Sequence, residues 1–183
     1  PNMDGLTTLV RIMTECPTPV VMLSRLTDED TETTIKALEA GAVDFILKPS
    51  YADAGFSTMT ERLAEKIKLA AKVDVRRLTA VSSKKGARRP QVASLPRRTR
   101  APRKGTPTKV VVIGSSTGGP RALHELIPAL PSDIPASILL VQHMPPGFTK
   151  SLANRLASFS QIEVKEAESD ETLRAGLVQV APG

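Results

Sequence analysis

The chain has 183 residues, 40% of them hydrophobic and only 3% aromatic, which predicts a core of aliphatic side chains. No stretch approaches the roughly 20 apolar residues needed to cross a bilayer, and the first residues do not resemble a signal peptide. We therefore expect a cytoplasmic protein without membrane insertion. Cys16 is the single cysteine, which excludes an internal disulfide and a cysteine-based zinc site.

The net charge of +6 is concentrated in one segment. Twelve Lys or Arg and no Asp or Glu lie from Arg76 to Lys109, so the rest of the chain carries a net negative charge. The segment is rich in Pro, Ser, Thr and Ala, and it cannot bury enough apolar surface to offset its conformational entropy. We predict a basic flexible linker over 73–108, with one domain over 1–72 and another over 109–183.

Helical and strand patterns alternate before the linker. A first helix is predicted from an apolar face with the spacing i, i+3, i+4 and i+7, which is formed by Leu6, Leu9, Val10 and Met13. A buried strand follows over 20–23. Thr27 and Asp30 resemble the start of a helix that ends at Gly41. A strand over 43–47 and a last helix complete an order that is typical of an α/β domain with a parallel sheet.

The pattern after the linker is strand, helix, strand, helix and two short strands. The first strand covers 109–113 and the second 137–141, and parallel strands joined by a helix end at the same edge of a sheet. Ser116 follows the first strand and His143 follows the second, so we predict that these two side chains lie side by side. A serine beside a histidine is the minimal pair for acyl transfer.

Residues 114–118 read G-x-S-x-G between a strand and a helix, a setting in which a serine nucleophile is exposed at a sheet edge. The residues alone leave three interpretations open: a nucleophile turn, a phosphate-binding loop at a helix N-terminus, and a plain turn. The phosphate loop fits less well, because Pro120 and Arg121 follow Gly119 where the Walker pattern has Lys and Ser or Thr. The dinucleotide pattern is also absent, because Ser116 occupies a glycine position.

A serine–histidine pair usually needs a carboxylate that orients the imidazole. Asp133 precedes the second strand and is predicted at the opposite edge of the sheet. The acidic residues between Glu163 and Glu171 are more typical of a solvated face, and His124 is predicted to be structural or solvent-facing in mid-helix. We therefore expect the acid to lie beyond Gly183.

Four segments after the linker closely resemble the catalytic domain of the chemotaxis protein-glutamate methylesterases, namely 112–119, 142–149, 164–168 and 180–183. Before the linker, 1–6 and 41–50 are similar to the carboxyl-terminal part of a response-regulator receiver domain. The resemblance implies an α/β fold with two three-layer parallel-sheet domains, both incomplete here. They are the C-terminal part of a flavodoxin-like receiver and the N-terminal part of a Rossmann-like methylesterase domain.

Carried over to this sequence, the resemblance makes Ser116 the nucleophile, His143 its general base and Thr117 a neighbour that shapes the site. In the receiver part, Ser24 takes the hydroxyl switch position. Lys48 contacts the phosphoryl group, and its bond to the next proline is expected in the cis form. The phosphoacceptor and triad aspartates are expected outside the chain, so these 183 residues alone are expected to be nearly inactive.

The resemblance implies hydrolysis of glutamate γ-methyl esters on chemoreceptors, with related glutamine deamidation, regulated by receiver phosphorylation in chemotaxis adaptation. The implied partners are methyl-accepting chemotaxis receptors and a chemotaxis histidine kinase. Ester hydrolysis is expected to need no cofactor. Mg²⁺ is expected for phosphorylation of a complete receiver domain, with no metal ligand in this chain.

The alternative is a non-catalytic phosphorelay receiver whose output half binds phosphate or nucleic acid. The basic run 96–104 could attract nucleic-acid phosphates through counterion release. It has no interleaved aromatic residues and no recognition helix, so we predict no specific nucleic-acid partner.

Overall fold

The computed structural model describes residues 3–25, 27–49, 56–75 and 105–183. These residues divide into two compact units, one on each side of 76–104. Most of the predicted flexible linker, including its basic run 96–104, lies outside the described residues. In the part that is described, no helix combines the length and the apolar character that a bilayer span requires.

The first unit contains three helices and a parallel pair of strands, in the order that the sequence predicts. Its elements are α1 (Gly5–Glu15), β1 (Val21–Ser24), α2 (Asp28–Ala40), β2 (Asp44–Leu47) and α3 (Phe56–Ala70). Helices α2 and α3 pack against the strands, and β1 pairs with β2 so that Ser24 lies opposite Leu47.

The helix ends of this unit follow from local side-chain chemistry. Thr27 caps α2, because its hydroxyl oxygen accepts the Asp30 N–H at 3.1 Å. Gly41 ends the helix at φ 118°, a left-handed conformation that suits glycine. Asp4 caps α1 by accepting the Thr7 N–H at 2.8 Å, and the hydrogen bonds from Thr7 lower the pKa of the Asp4 carboxyl.

Two burial predictions for the first unit are wrong. Val10, which we placed on the buried face of α1, is 48% exposed, whereas Leu9 and Met13 of that face are buried. The contacts of α1 are mainly with α2, so only a narrow stripe of the helix is covered. Leu23 in β1 is also 48% exposed, because within the described residues β1 has a strand neighbour on one side only.

The second unit contains a four-stranded parallel sheet and two helices. Its elements are β3 (Lys109–Ser115), α4 (Gly119–Leu126), β4 (Ala136–Gln142), α5 (Phe148–Ala157), β5 (Glu163–Glu166) and β6 (Leu177–Val180). The strand order in the sheet is β3-β4-β6-β5. Helix α4 follows β3 and helix α5 follows β4, and a short 3-10 turn over Ile127–Ala129 extends α4.

The core of the second unit lies around β4 and β6, the two central strands. Leu140, Phe148 and Leu177 are fully buried there. β3 is an edge strand among the described residues, and Val112 is 67% exposed although it belongs to a continuous apolar run. The predicted functional residues Ser116 and His143 therefore follow the ends of the edge strand β3 and of its neighbour β4.

Candidate active site

β3 and β4 end side by side, as the sequence predicts for parallel strands. Ser115 is in register with Gln142 as the last residue pair of the two strands. The His143 N–H then donates to the Ser115 carbonyl oxygen at 2.9 Å, which continues the ladder one residue further. Ser116 and His143 are consequently the first residues beyond two paired strands, and their backbones are fixed next to each other.

The side chains of Ser116 and His143 meet at this edge. Ser116 Oγ lies 3.3 Å from His143 Nδ1, and both residues are exposed. A neutral imidazole with its proton on Nε2 accepts the serine hydroxyl at Nδ1, which is the arrangement required for proton removal. The contact is long for such a bond, as is common for catalytic pairs in the absence of substrate.

A tight turn links Ser116 to α4. Gly118 has φ 77°, a left-handed conformation that favours glycine, and the Gly119 N–H donates to the Ser116 carbonyl oxygen at 2.8 Å. Pro120 follows in the first turn of the helix, where its missing N–H leaves no bond unmade. Thr117 is exposed on this turn, next to the nucleophile candidate. The turn thus places Ser116 before the N-terminus of α4, where N–H groups favour negative charge.

The loop after His143 is held by the segment that follows β6. The Gly183 N–H donates to Thr149 Oγ1 at 3.1 Å. A Cβ atom at Gly183 would lie 2.5 Å from the Met144 carbonyl oxygen, so only glycine allows this close approach. The loop ends at Gly147, with φ 86°, and at the buried Phe148. His143 therefore leads into a closely packed segment.

Gln142 is a residue of the site that we did not single out from the sequence. Its side chain is 4% exposed and forms hydrogen bonds with Ser115 and with the backbone of Ser116 and His143. The signal was available, because Gln142 has the same parity in β4 as the buried Ile138 and Leu140. A polar side chain on a buried face needs partners.

No carboxylate within the described residues is bonded to His143. Asp133 precedes β4, at the opposite end of the strand, as predicted. The acidic residues after β5 are mostly exposed but are not simply solvated, since Lys165 Nζ lies 3.0 Å from Glu168 and 3.1 Å from Glu171. The hydrogen bond from Lys165 lowers the pKa of the Glu171 carboxyl.

His124 has a packing role, in agreement with its prediction as a structural residue. Its ring centroid lies 4.2 Å from that of Phe159, with the two planes inclined at 51°. This tilted contact is a common arrangement of packed aromatic rings. His124 therefore packs against Phe159, whereas His143 contacts Ser116.

The two residues predicted for the receiver switch lie at one sheet edge of the first unit. The Lys48 N–H donates to the Ser24 carbonyl oxygen at 2.7 Å, and both side chains line an open cleft of about 590 Å³ together with Asp4, Asp30 and Thr34. The cis bond predicted after Lys48 is wrong: the described residues contain no cis peptide bond. The trans form is the lower in energy for most bonds to proline.

The hydroxyl of Ser24 has a specific partner in this cleft. Its Oγ lies 2.6 Å from Thr34 Oγ1, which itself donates to the Asp30 carbonyl oxygen at 2.7 Å. Ser24 Oγ also lies 3.3 Å from the Arg25 carbonyl oxygen, and either hydroxyl can be the donor in the contact between Ser24 and Thr34. Ser24 is therefore held toward α2 in this structure.

Among the described residues, no three Asp, Glu, His or Cys side chains are grouped so that they could hold a metal ion.

Comparisons with known proteins agree with the motifs in both units. Residues 111–183 match a family model described as CheB methylesterase, and residues 1–60 match one described as a response regulator receiver domain. A crystal structure of the Thermotoga maritima CheB methylesterase catalytic domain is 64% identical in sequence to the matched part of this chain. The match covers 41% of this chain and 40% of the chain in the crystal structure, with a TM-score of 0.40.

Curated relatives match this chain over its entire length. A protein of Archaeoglobus fulgidus, named protein-glutamate methylesterase/protein-glutamine glutaminase, is 50% identical over 186 residues, which are 50% of its own length. Proteins with the same name from Symbiobacterium thermophilum and Thermotoga maritima are 48% and 47% identical. The chain covers 52% and 50% of those two, so it spans about half the length of these relatives. Residues 1–60 are thus similar to response regulator receiver domains and residues 111–183 to CheB methylesterases, in the order that the sequence motifs predict.

Proposed function

We propose that the full-length protein hydrolyses glutamate γ-methyl esters on chemoreceptors. The observation that carries this proposal is the contact between Ser116 Oγ and His143 Nδ1 at the ends of two parallel strands. The names of the curated relatives, which cover the same two regions, support the substrate class. Ser116 is then the nucleophile and His143 the general base.

In the first half-reaction, Ser116 Oγ attacks the ester carbonyl carbon while His143 Nδ1 takes the hydroxyl proton. The carbonyl oxygen becomes an oxyanion, and backbone N–H groups near the Ser116 turn and the N-terminus of α4 are the candidates to stabilise it. The bond from the carbonyl carbon to the methoxy oxygen then breaks, and the imidazolium gives its proton to that oxygen. Methanol leaves, and the substrate side chain stays as an ester on Ser116.

Water completes the reaction. It attacks the acyl carbon while His143 accepts one of its protons, and the bond to Ser116 Oγ breaks as that oxygen regains a proton. The product is a glutamate side chain. The same steps applied to a glutamine amide release ammonia in place of methanol, which agrees with the second activity in the relatives' names.

An acid partner of His143 is part of the proposal. Ser116 occupies Nδ1, so the proton of the neutral ring is on Nε2, and a carboxylate that orients the ring would accept it there. The described residues supply no such carboxylate next to His143. We place this acid in the part of the relatives' length that the chain does not span.

The first test separates the esterase from a binding module. A serine-directed organophosphorus reagent is expected to label Ser116 in the full-length protein, and the same protein is expected to release methanol from a methylated receptor. A non-catalytic output half would do neither. Labelling at another serine, with methanol release intact, would contradict the assignment of Ser116.

Regulation by the receiver unit is also part of the proposal. Ser24 and Lys48 line one cleft, and a cation at this position would bind a phosphoryl oxygen through charge-assisted hydrogen bonds. A chemotaxis histidine kinase is the proposed phosphate donor. We expect phosphorylation to raise the rate of methanol release by the wild type. In the Lys48→Met variant, the rate with phosphorylation divided by the rate without it is expected to be about 1. A full response in that variant would contradict the role of Lys48.

A further inference from the structure

A buried glutamine joins the two strand ends that carry Ser116 and His143. Gln142 Nε2 donates to the Ser116 carbonyl oxygen at 3.0 Å and to the His143 carbonyl oxygen at 3.2 Å. Gln142 Oε1 accepts the Ser115 hydroxyl at 2.7 Å. One amide group thus contacts the backbone on both sides of the Ser116–His143 pair.

The orientation of this amide follows from the donors and acceptors around it. A carbonyl oxygen only accepts hydrogen bonds. The amide atom of Gln142 that faces the carbonyl oxygens of Ser116 and His143 must therefore be the nitrogen of its N–H₂ group. The Ser115 hydroxyl has a proton to donate, which suits Oε1 on the other side. Both amide protons and the amide oxygen are used, and the group is nearly inaccessible to water.

The space for this amide is created by Gly119. A Cβ atom at Gly119 would overlap Gln142 Oε1 and would lie 3.0 Å from Ser115 Oγ. The first residue of α4 therefore closes over the amide and leaves room for no larger residue. The same glycine donates its N–H to the Ser116 carbonyl oxygen at 2.8 Å, so that carbonyl is held from two directions.

We propose that Gln142 is a positioning residue that sets the separation of Ser116 and His143, an inference that rests on the proposed esterase function. Gln142 does not reach the reacting atoms in this structure, since its contacts are with Ser115 Oγ and with backbone carbonyl oxygens. It acts through the nucleophile turn. Since a displacement of about 1 Å at reacting groups can cost about 100-fold in rate, a small movement of this turn is sufficient to affect catalysis.

The test uses Gln142→Glu in the full-length protein, because this change keeps the shape and removes the N–H₂ donors. We expect kcat for methanol release to fall by about 10- to 100-fold with little change in KM. Burial and the two facing carbonyl oxygens disfavour the ionised carboxylate, so they raise the pKa of a carboxyl at this position above its usual range. The protonated carboxyl can donate one hydrogen bond again, so the ratio of variant to wild-type kcat is expected to rise from about pH 8 to about pH 5. A purely structural role would not produce this pH-dependent recovery.

The matched control is Gln161→Glu, the same chemical change at an exposed position in the loop before β5. It is expected to keep the wild-type kcat. A folded Gln142→Glu variant with wild-type kcat, or with a reduced kcat that shows no recovery at low pH, would overturn the inference. If that variant does not fold, Ser115→Ala decides, because it removes only the contact to Oε1. A fall of about 3- to 10-fold in its kcat supports the inference, and an unchanged kcat overturns it.

Failure of the proposed function has a different signature. If the wild-type protein releases no methanol and Ser116 is not labelled, the esterase assignment fails and the role of Gln142 falls with it. If the wild type and Gln161→Glu are active while Ser116→Ala is not, the esterase assignment stands. The Gln142 variants then test the positioning role alone.

Discussion

The substitution Ser116→Ala in the full-length protein is expected to lower the rate of methanol release from a methylated receptor by about 10,000-fold or more. The alanine has no oxygen to attack the ester, so His143 loses the group whose proton it takes across the 3.3 Å contact. The turn itself is expected to keep its shape, because its hydrogen bonds involve the Ser116 carbonyl oxygen and not the hydroxyl. KM for the receptor is therefore expected to change little.

A matched control is available in the same unit. Ser158→Ala makes the same chemical change at an exposed residue at the end of α5, and it is expected to leave the rate unchanged. Methanol release is measured for both variants and for the wild type at one receptor concentration. A Ser116→Ala variant that works at the wild-type rate would end the assignment of Ser116 as nucleophile, whatever the identity of the base.

Much of this site could be predicted from the sequence because it depends on a simple property of parallel sheets. Ser116 and His143 each follow an apolar run, and a helical pattern separates the two runs, so the two strands were expected to end at one edge. The register confirms this, with Ser115 opposite Gln142. Contact between neighbouring strand ends requires no knowledge of the rest of the fold.

Other features depend on which elements become neighbours, and the sequence pattern does not specify this. β6 lies between β4 and β5 although it is the last strand in the chain. Gly183 follows β6 and Met144 follows β4, so the two residues lie close together because these strands are neighbours. The exposure of Val112 and Leu23 has the same origin, because an apolar strand is covered only as far as its neighbours in the structure reach.

Gln142 shows a third kind of limit. Its position after an apolar run was visible, but two of its three hydrogen bonds are with Ser115 and Ser116 at the end of the other strand. Local propensity says little about a polar side chain whose partners are 26 and 27 residues away. Polar residues on the buried face of a strand are therefore useful markers of a site, even when their partners cannot be named.

The substitution Phe148→Ala is expected to lower the free energy of unfolding of the second unit by about 3–5 kcal/mol. Phe148 is fully buried at the start of α5, and its replacement leaves a cavity in a core of Leu and Val side chains. Since domains of this size are stable by about 5–15 kcal/mol, the loss is a large fraction of the total. Native-state hydrogen exchange of the β4 amides measures it within this unit.

The control is Lys150→Ala, which truncates an exposed side chain in the same helix and is expected to change the free energy of unfolding by no more than about 0.5 kcal/mol. A change below about 1 kcal/mol for Phe148→Ala would show that the ring does not anchor the core.

The expected loss also bears on the site, because the Phe148 N–H donates to the Pro145 carbonyl oxygen at 3.2 Å. In the Phe148→Ala variant, a larger increase in exchange rate over the wild type at the His143 amide than at the β6 amides would indicate that the ring holds the loop after His143. Core packing and the position of the imidazole would then be linked through this segment.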